Sequence, residues 1–323
     1  MTLGLISKLA AARRAAKSVA GLAPPADEMF LRSNYRGREV DLRGGVATWS
    51  GLINAAEGKA VDMAAMAAVS AAGAAGLVDD LAGDGSVRGL KGHLGELRRG
   101  RVTTGAVKIA VLGAGALAAA WLMQPPGRPA EVTRRLGRTA QIAVDAALVA
   151  GSANLVNLLD LRPGRALKAV ALPAALLAAR RSDGDQLAAE ITGVVLGSAP
   201  GDFSERTMLG DTGANALGAA VGVAAVRGLT PFGRLLAATG VAGLIVASER
   251  ISFSSVIRRR PWLRRIDDWG RQTPDPTPEG GGEAKVTGGI EPPTGAAGAG
   301  PAHSADQPSD TGGADRNAEL GDG

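Results

Sequence analysis

Three clusters of polar residues interrupt a chain otherwise dominated by small apolar side chains. The first is Gly76-Leu77-Val78-Asp79-Asp80-Leu81, where two adjacent carboxylates close a long apolar helix. Negative charge at a helix C-terminus opposes the macrodipole, so the pair needs a positive partner, and a bound cation is one. A solvated helix end is the plainer alternative. The second is Asn154-Leu155-Val156-Asn157-Leu158-Leu159-Asp160, whose i, i+3, i+6 spacing keeps the polar groups on one broad helical face. Two asparagines near the end of a spanning helix point to a protein interior or a wet cavity, or else to interhelical hydrogen bonds. The third is Met208-Leu209-Gly210-Asp211-Thr212-Gly213-Ala214-Asn215. Its glycines permit a tight turn, and Asp211 precedes a new helix, where it or Thr212 would serve as N-cap. An N-cap and a metal ligand are not exclusive.

Together the clusters supply several carboxylates. Magnesium prefers oxygen ligands, takes one or two carboxylates and shares substrate phosphates. Carboxylates at a membrane–water boundary suit a diphosphate arriving from the cytosol and a lipid phosphate arriving from the bilayer. That is phosphoryl transfer, in which positioning and charge neutralisation do most of the work.

The elements that must position these residues are membrane helices. Of 323 residues 46% are apolar and only 3% aromatic, too few aromatics for an ordinary soluble core. Helices in lipid pack through Gly, Ala and Ser, which dominate here. Spanning segments are expected at approximately Gly45–Ala56, Ala60–Val78, Gly105–Met123, Ala140–Leu159, Ala166–Ala179, Leu187–Pro200, Thr212–Arg227 and Pro231–Ser248. The fold class is therefore all-α, a polytopic membrane bundle of about eight transmembrane helices. If each segment crosses, the connections Asp79–Thr104, Asp160–Arg165 and Gly201–Asp211 share one side with everything after Glu249. That side carries most of the Lys and Arg and is expected to be cytoplasmic, in a plasma membrane. All three clusters fall on it.

Flanking segments differ in character. Residues 1–31 read as an amphipathic interfacial helix, because Lys8, Arg13, Arg14 and Lys17 break any signal sequence or span. Residues 32–271 form the transmembrane domain. Residues 272–323, rich in Pro, Gly, Asp and Ser, cannot bury enough apolar area to order and are expected to be disordered. The absence of cysteine excludes disulfides, thiolate metal sites and Cys nucleophiles.

The ordered set Gly44-Gly45, Leu77-Val78-Asp79-Asp80, Asn154-x-x-Asn157-x-x-Asp160 and Leu209-Gly210-Asp211-x-Gly213 resembles the polyprenyl-phosphate N-acetylhexosamine-1-phosphate transferase superfamily. Its members start peptidoglycan and other cell-envelope glycans. The resemblance covers roughly Arg32 to Arg271. It implies transfer of a sugar-phosphate from a UDP-sugar to polyprenyl phosphate, with Mg2+ as cofactor and no nucleic-acid partner. A homodimer is compatible with this reading. In catalysis it implies Asp79, Asp80 and Asp211, with Asp79 as base or phosphate-positioning group. Asp211 and Asp160 would hold the metal. Asn154, Asn157 and Asp160 would lie near the nucleotide, and Lys91, Arg258 and Arg260 would contact phosphates. Two features depart from the family pattern. The segment Asp160-Leu161-Arg162-Pro163-Gly164 lacks a second aspartate, and Arg258–Arg265 stands where relatives carry a histidine cluster. These departures support an alternative, a catalytically degenerate member that binds polyprenyl phosphate or scaffolds envelope synthesis.

Other features have plainer readings. Val111–Ala118 imitates a dinucleotide fingerprint, but no second strand follows, and a small-residue membrane helix is expected. His93 is the one histidine outside the tail and is expected to be solvated. Arg250–Arg271 is expected to face anionic lipid rather than nucleic acid. Asp145 lies within a span, where an intramembrane partner is the default expectation.

Overall fold

Long runs of Ala, Gly, Leu and Val with few charges favour helices, and most of the chain is helical. A computed structural model describes residues 28–56, 62–82, 89–124, 132–180 and 182–272, except for the side chains at 89–91, 93–94 and 132–136. Residues 1–27 and 273–323, which hold most of the expected interfacial helix and nearly all of the tail, lie outside the described residues.

A single 3-10 turn, Glu28–Phe30, leads into an antiparallel hairpin of β1 (Leu31–Ser33) and β2 (Glu39–Asp41), with Leu31 opposite Asp41. The helices follow as α1 (Arg43–Ala56), α2 (Met63–Ala82), α3 (Gly89–Arg98) and α4 (Thr104–Leu122). Next come α5 (Val132–Leu159), α6 (Arg165–Ala179), α7 (Asp185–Phe203) and α8 (Gly210–Gly228). The last are α9 (Pro231–Ser248), α10 (Phe253–Arg259) and α11 (Pro261–Asp268). A helix occupies each of the expected spanning segments. The hairpin, α3, α10 and α11 were not anticipated from the hydropathy pattern, and Gly44-Gly45 lies inside the first turn of α1 rather than ahead of it. Val111–Ala118 lies wholly within α4, preceded by coil, so it is not a dinucleotide loop.

Among the described residues, four helices are long and apolar enough to cross a membrane: α2, α4, the Gly137–Leu159 part of α5, and α9. The others differ for physical reasons. With 14 and 15 residues, α1 and α6 fall short of the roughly 20 that a span requires. Helix α7 carries Asp185, Glu190 and Asp202. Helix α8 faces protein instead of lipid: α1, α2, α5, α6 and α7 surround it, and nearly every residue from Gly210 to Gly228 is buried.

That central helix is built mainly of Gly, Ala and Val, so its neighbours approach its backbone directly. A Cβ at Gly218 would lie 2.3 Å from the Ser152 carbonyl oxygen, and one at Gly222 would lie 2.8 Å from the Val149 Cα. The Gly218-x-x-x-Gly222 spacing thus sets the α5–α8 contact. Dispersion across this seam replaces the large side chains of a soluble core. Gly218→Ala is expected to lower stability by about 1–3 kcal/mol through overpacking. Gly113→Ala on α4, with nothing within 4 Å of its would-be Cβ, is expected to leave stability unchanged or raise it. Thermal unfolding in one detergent compares the two.

Candidate functional site

The three polar clusters converge where the C-termini of α2 and α5 meet the N-terminus of α8. Gly210 opens α8 with φ +57°, a left-handed conformation that favours glycine. A Cβ there would also meet an Asp80 carboxylate oxygen at 2.9 Å. Gly76 admits the same turn from the side, since its Cβ would lie 2.3 Å from the Asp211 carbonyl oxygen.

The turn leaves the first N–H groups of α8 without intrahelical partners, and its N-cap residue, Leu209, has no side-chain acceptor. Asp80 provides the cap from the neighbouring helix. Its carboxylate accepts from the Asp211 N–H at 2.9 Å, the Thr212 N–H at 2.9 Å and the Thr212 hydroxyl at 2.6 Å. The expected local cap by Asp211 or Thr212 is therefore corrected. Both residues lie inside the first turn, and Thr212 donates rather than accepts. The carboxylate opposes the dipole of α2 but complements that of α8. At the same corner, the Arg32 guanidinium donates to the Asp80 carbonyl at 2.8 Å, satisfying an orphan carbonyl at the end of α2.

Asp79, one residue earlier, turns to Lys108 on α4. The ammonium donates to Asp79 at 3.1 Å and to Asp211, bridging the two carboxylates. With its amide nitrogen facing Asp211, Asn157 donates to Asp211 Oδ1 at 3.0 Å and accepts from Lys108 at 3.3 Å. The Asp79 and Asp211 side chains are each 28% exposed and Lys108 is 11% exposed, so the carboxylates can be reached from outside.

Asp160 closes α5 beside this cluster. Burial pushes its carboxyl well above the usual range, and the charges of Asp202, Asp211 and Asp80 push the same way, against Arg165. Asp202 is itself buried and accepts from the Gly164 N–H at 2.5 Å, which fixes the turn between α5 and α6. Beyond that turn, Arg165 donates twice to Asp267 at 2.8 Å and once to Ser254 at 2.9 Å, tying α6 to α10 and α11. Burial alone would raise the Asp267 carboxyl, but the bonds and charges of Arg165 and Arg271 outweigh it and hold the group below its usual range.

Four of the site residues read from sequence, Asp79, Asp80, Asn157 and Asp211, thus form one bonded cluster, with Asp160 adjoining. Asn154 lies one turn earlier on α5, half-buried. Lys91 and His93 fall on α3, with side chains outside the described part. Arg258 and Arg260 are exposed at the end of α10, where Arg258 donates to Ser255 at 3.3 Å; neither joins the cluster. Sequence reasoning missed Lys108 and Asp202. The signal for Lys108 was present, since a lone lysine inside an apolar span is a functional candidate by default.

Chemically, the cluster offers carboxylates as oxygen ligands or bases and one ammonium for a phosphate oxygen. Among the described residues no three Asp, Glu or His groups form a protein-only metal cage. Magnesium held by one or two carboxylates and completed by substrate phosphates and water needs none. Neither known protein families nor curated proteins match the chain.

Lys108→Met is expected to destabilise the protein by about 3 kcal/mol, because Asp79 and Asp211 lose their shared counter-charge. The double variant with Asp211→Asn is expected to recover part of that loss, as a double-mutant cycle of unfolding free energies would measure. Asp267 yields a pH dependence. Its folded-state pKa is depressed, so its stabilisation is present above the unfolded value of about 4 and is lost as pH falls through the lower folded value. Asp267→Asn is expected to flatten the acid limb of stability against pH.

Proposed function

We propose that the protein is a membrane glycosyl-1-phosphate transferase that moves an N-acetylhexosamine-1-phosphate, or a related sugar-phosphate, from a UDP-sugar to polyprenyl phosphate. The observation that carries this reading is the convergence of Asp79, Asp211, Asn157 and Lys108 into one reachable cluster at the end of an apolar helical bundle. The reading includes eight crossings, a plasma-membrane location and a cytoplasmic site, in keeping with the Lys/Arg bias of the connections.

The donor set fits magnesium. Asp80, Asp202 and Asp211 lie near enough to Asp160 for their charges to add to burial in pushing its carboxyl above the usual range. Asp211 and Asp160 would hold the ion, and magnesium, when bound, neutralises charge on the diphosphate. In the reaction a polyprenyl-phosphate oxygen attacks the phosphorus bearing the sugar, the P–O bond to the uridylate phosphate breaks, and UMP leaves. Lys108 holds a phosphate oxygen in exchange for one carboxylate. Asp79 positions the attacking phosphate or takes its proton. Asn157 orients Asp211, and Asp80 keeps the first turn of α8 in place rather than acting on substrate.

One observation favours a second reading. Lys108 already satisfies Asp79 and Asp211, so the acids have a structural role without substrate. A catalytically degenerate protein that binds polyprenyl phosphate or scaffolds envelope synthesis would keep this arrangement.

Membranes containing the protein, supplied with radiolabelled UDP-N-acetylhexosamines, polyprenyl phosphate and magnesium, are expected to form a lipid-linked product, and Asp211→Asn is expected to abolish it. Absence of turnover by folded protein, with no stabilisation by UDP-sugar and magnesium, would sink the enzyme reading in favour of the second.

A further inference from the structure

In a helix packed on a soluble core, the apolar stripe faces inward and the charges face water. Helix α11 is inverted. Trp262 and Ile266, one turn apart on the helix, are 61% and 54% exposed, and Trp269, in extended backbone just past its end, is 70% exposed. Asp267 points the other way, is 7% exposed, and is clasped by Arg165 and by Arg271 at 2.7 Å. Lys168 adds hydrogen bonds to the carbonyls of Ile266 at 3.1 Å and Trp269 at 2.8 Å. Polar bonds on the inner side thus fix the roll of the helix and hold its apolar stripe outward.

An apolar stripe held outward needs an apolar partner, and the chain path selects it. Helix α11 follows α9, which is long and apolar enough to cross a membrane, after only the short α10. Because seven residues of the connection are wound into α10, it holds α11 within about 30 Å of the end of α9. Arg258, Arg259, Arg260 and Arg265 are exposed along the same segment, whereas Asp268 is already paired with Arg264 at 3.3 Å. Exposed cations beside an exposed Trp-rich stripe complement anionic headgroups above acyl chains. The stripe of an eight-residue helix is also much smaller than the roughly 800 Å² per partner of a stable protein interface.

We propose that α11 is an interfacial anchor, which sinks Trp262, Ile266 and Trp269 among acyl chains while the neighbouring arginines meet the phosphates of anionic lipids. Its inward face meets Arg165, so the anchor holds the α5–α6 turn that carries Asp160 at a set height against the bilayer. This inference is independent of the transferase reading, and its test involves no turnover.

The chain has no cysteine, so single-cysteine variants of the full-length protein can be labelled with an environment-sensitive fluorophore. Ile266→Cys, Trp269→Cys and, off the stripe, Arg265→Cys would be compared in nanodiscs carrying spin-labelled acyl chains as quencher, with phosphatidylcholine alone or with added phosphatidylglycerol. Labels at 266 and 269 are expected to be quenched more than the label at 265. The anionic lipid is expected to strengthen their apparent membrane partitioning about fivefold, the effect of one arginine at an anionic surface. Equal quenching at 265 and 266, no response to phosphatidylglycerol, or protection of 266 that depends on protein concentration rather than on lipid would overturn the proposal; the last would assign the stripe to a second copy. Agreement between 266 and 269 guards against a local effect of either substitution.

Discussion

A helix that begins inside a bundle must have its first N–H groups satisfied by protein, because water does not reach them. Helix α8 begins this way, and the Asp80 carboxylate supplies what its own sequence does not. The rest of the site follows from that cap. It brings the end of α2 against the start of α8, which demands glycine at positions 76 and 210. It places Asp79 and Asp211 side by side, and two neighbouring carboxylates that are largely withdrawn from solvent favour a shared cation. Lys108 meets that requirement from a third helix, and Asn157 completes the cluster from a fourth.

The same logic recurs through the bundle. A core of Ala, Gly and Val packs by dispersion, which discriminates weakly between one helix rotation and another. Charged pairs supply orientation. Asp62 caps the start of α2 through the Ala65 N–H at 2.9 Å and pairs with Arg227 in the last turn of α8. Arg165 and Asp267 join α6 to α11. Glu205, in the connection before α8, accepts from Asn34 at 2.7 Å, and the Asp41 N–H donates to the Arg206 carbonyl at 3.2 Å, so the hairpin braces the loop that leads to Gly210. Apart from the local Asp62 cap, each contact joins elements far apart in sequence.

Much of the helical framework was legible because runs of small apolar residues broken by Gly, Pro and charge have few other solutions. The polar residues of the site were legible because Asp and Asn at the ends of apolar helices oppose both lipid and the local dipole. Their division of labour was not. Adjacent in sequence, Asp79 and Asp80 look alike, yet one bonds to a lysine and the other caps a foreign helix, which depends on how α2 meets α8. The local cap expected of Asp211 or Thr212 gave way to that tertiary cap. The hairpin was invisible because its strands of three residues are too short to show alternation. Helix α11 was hidden for a different reason. Half of its residues are Arg or Asp, which masks a short apolar stripe, and the direction of Trp262 and Ile266 depends on the grip of Arg165 on Asp267.

The pair formed by Asp145 and Arg234 bears on how the protein is made. Asp145 is fully buried in α5, and its carboxylate receives the Arg234 guanidinium of α9 at 3.2 Å and the Gln124 amide at 3.4 Å. Gln124 is synthesised before α5, but Arg234 lies 89 residues after Asp145. Helix α5 is therefore complete before its strongest polar partner has been synthesised. The last apolar helix arrives carrying the charge that completes it, and because α9 packs chiefly on α5, that late encounter specifies where α9 docks. A chain truncated before Arg234 would keep the Gln124 amide on Asp145 but leave that buried acid without its counter-charge.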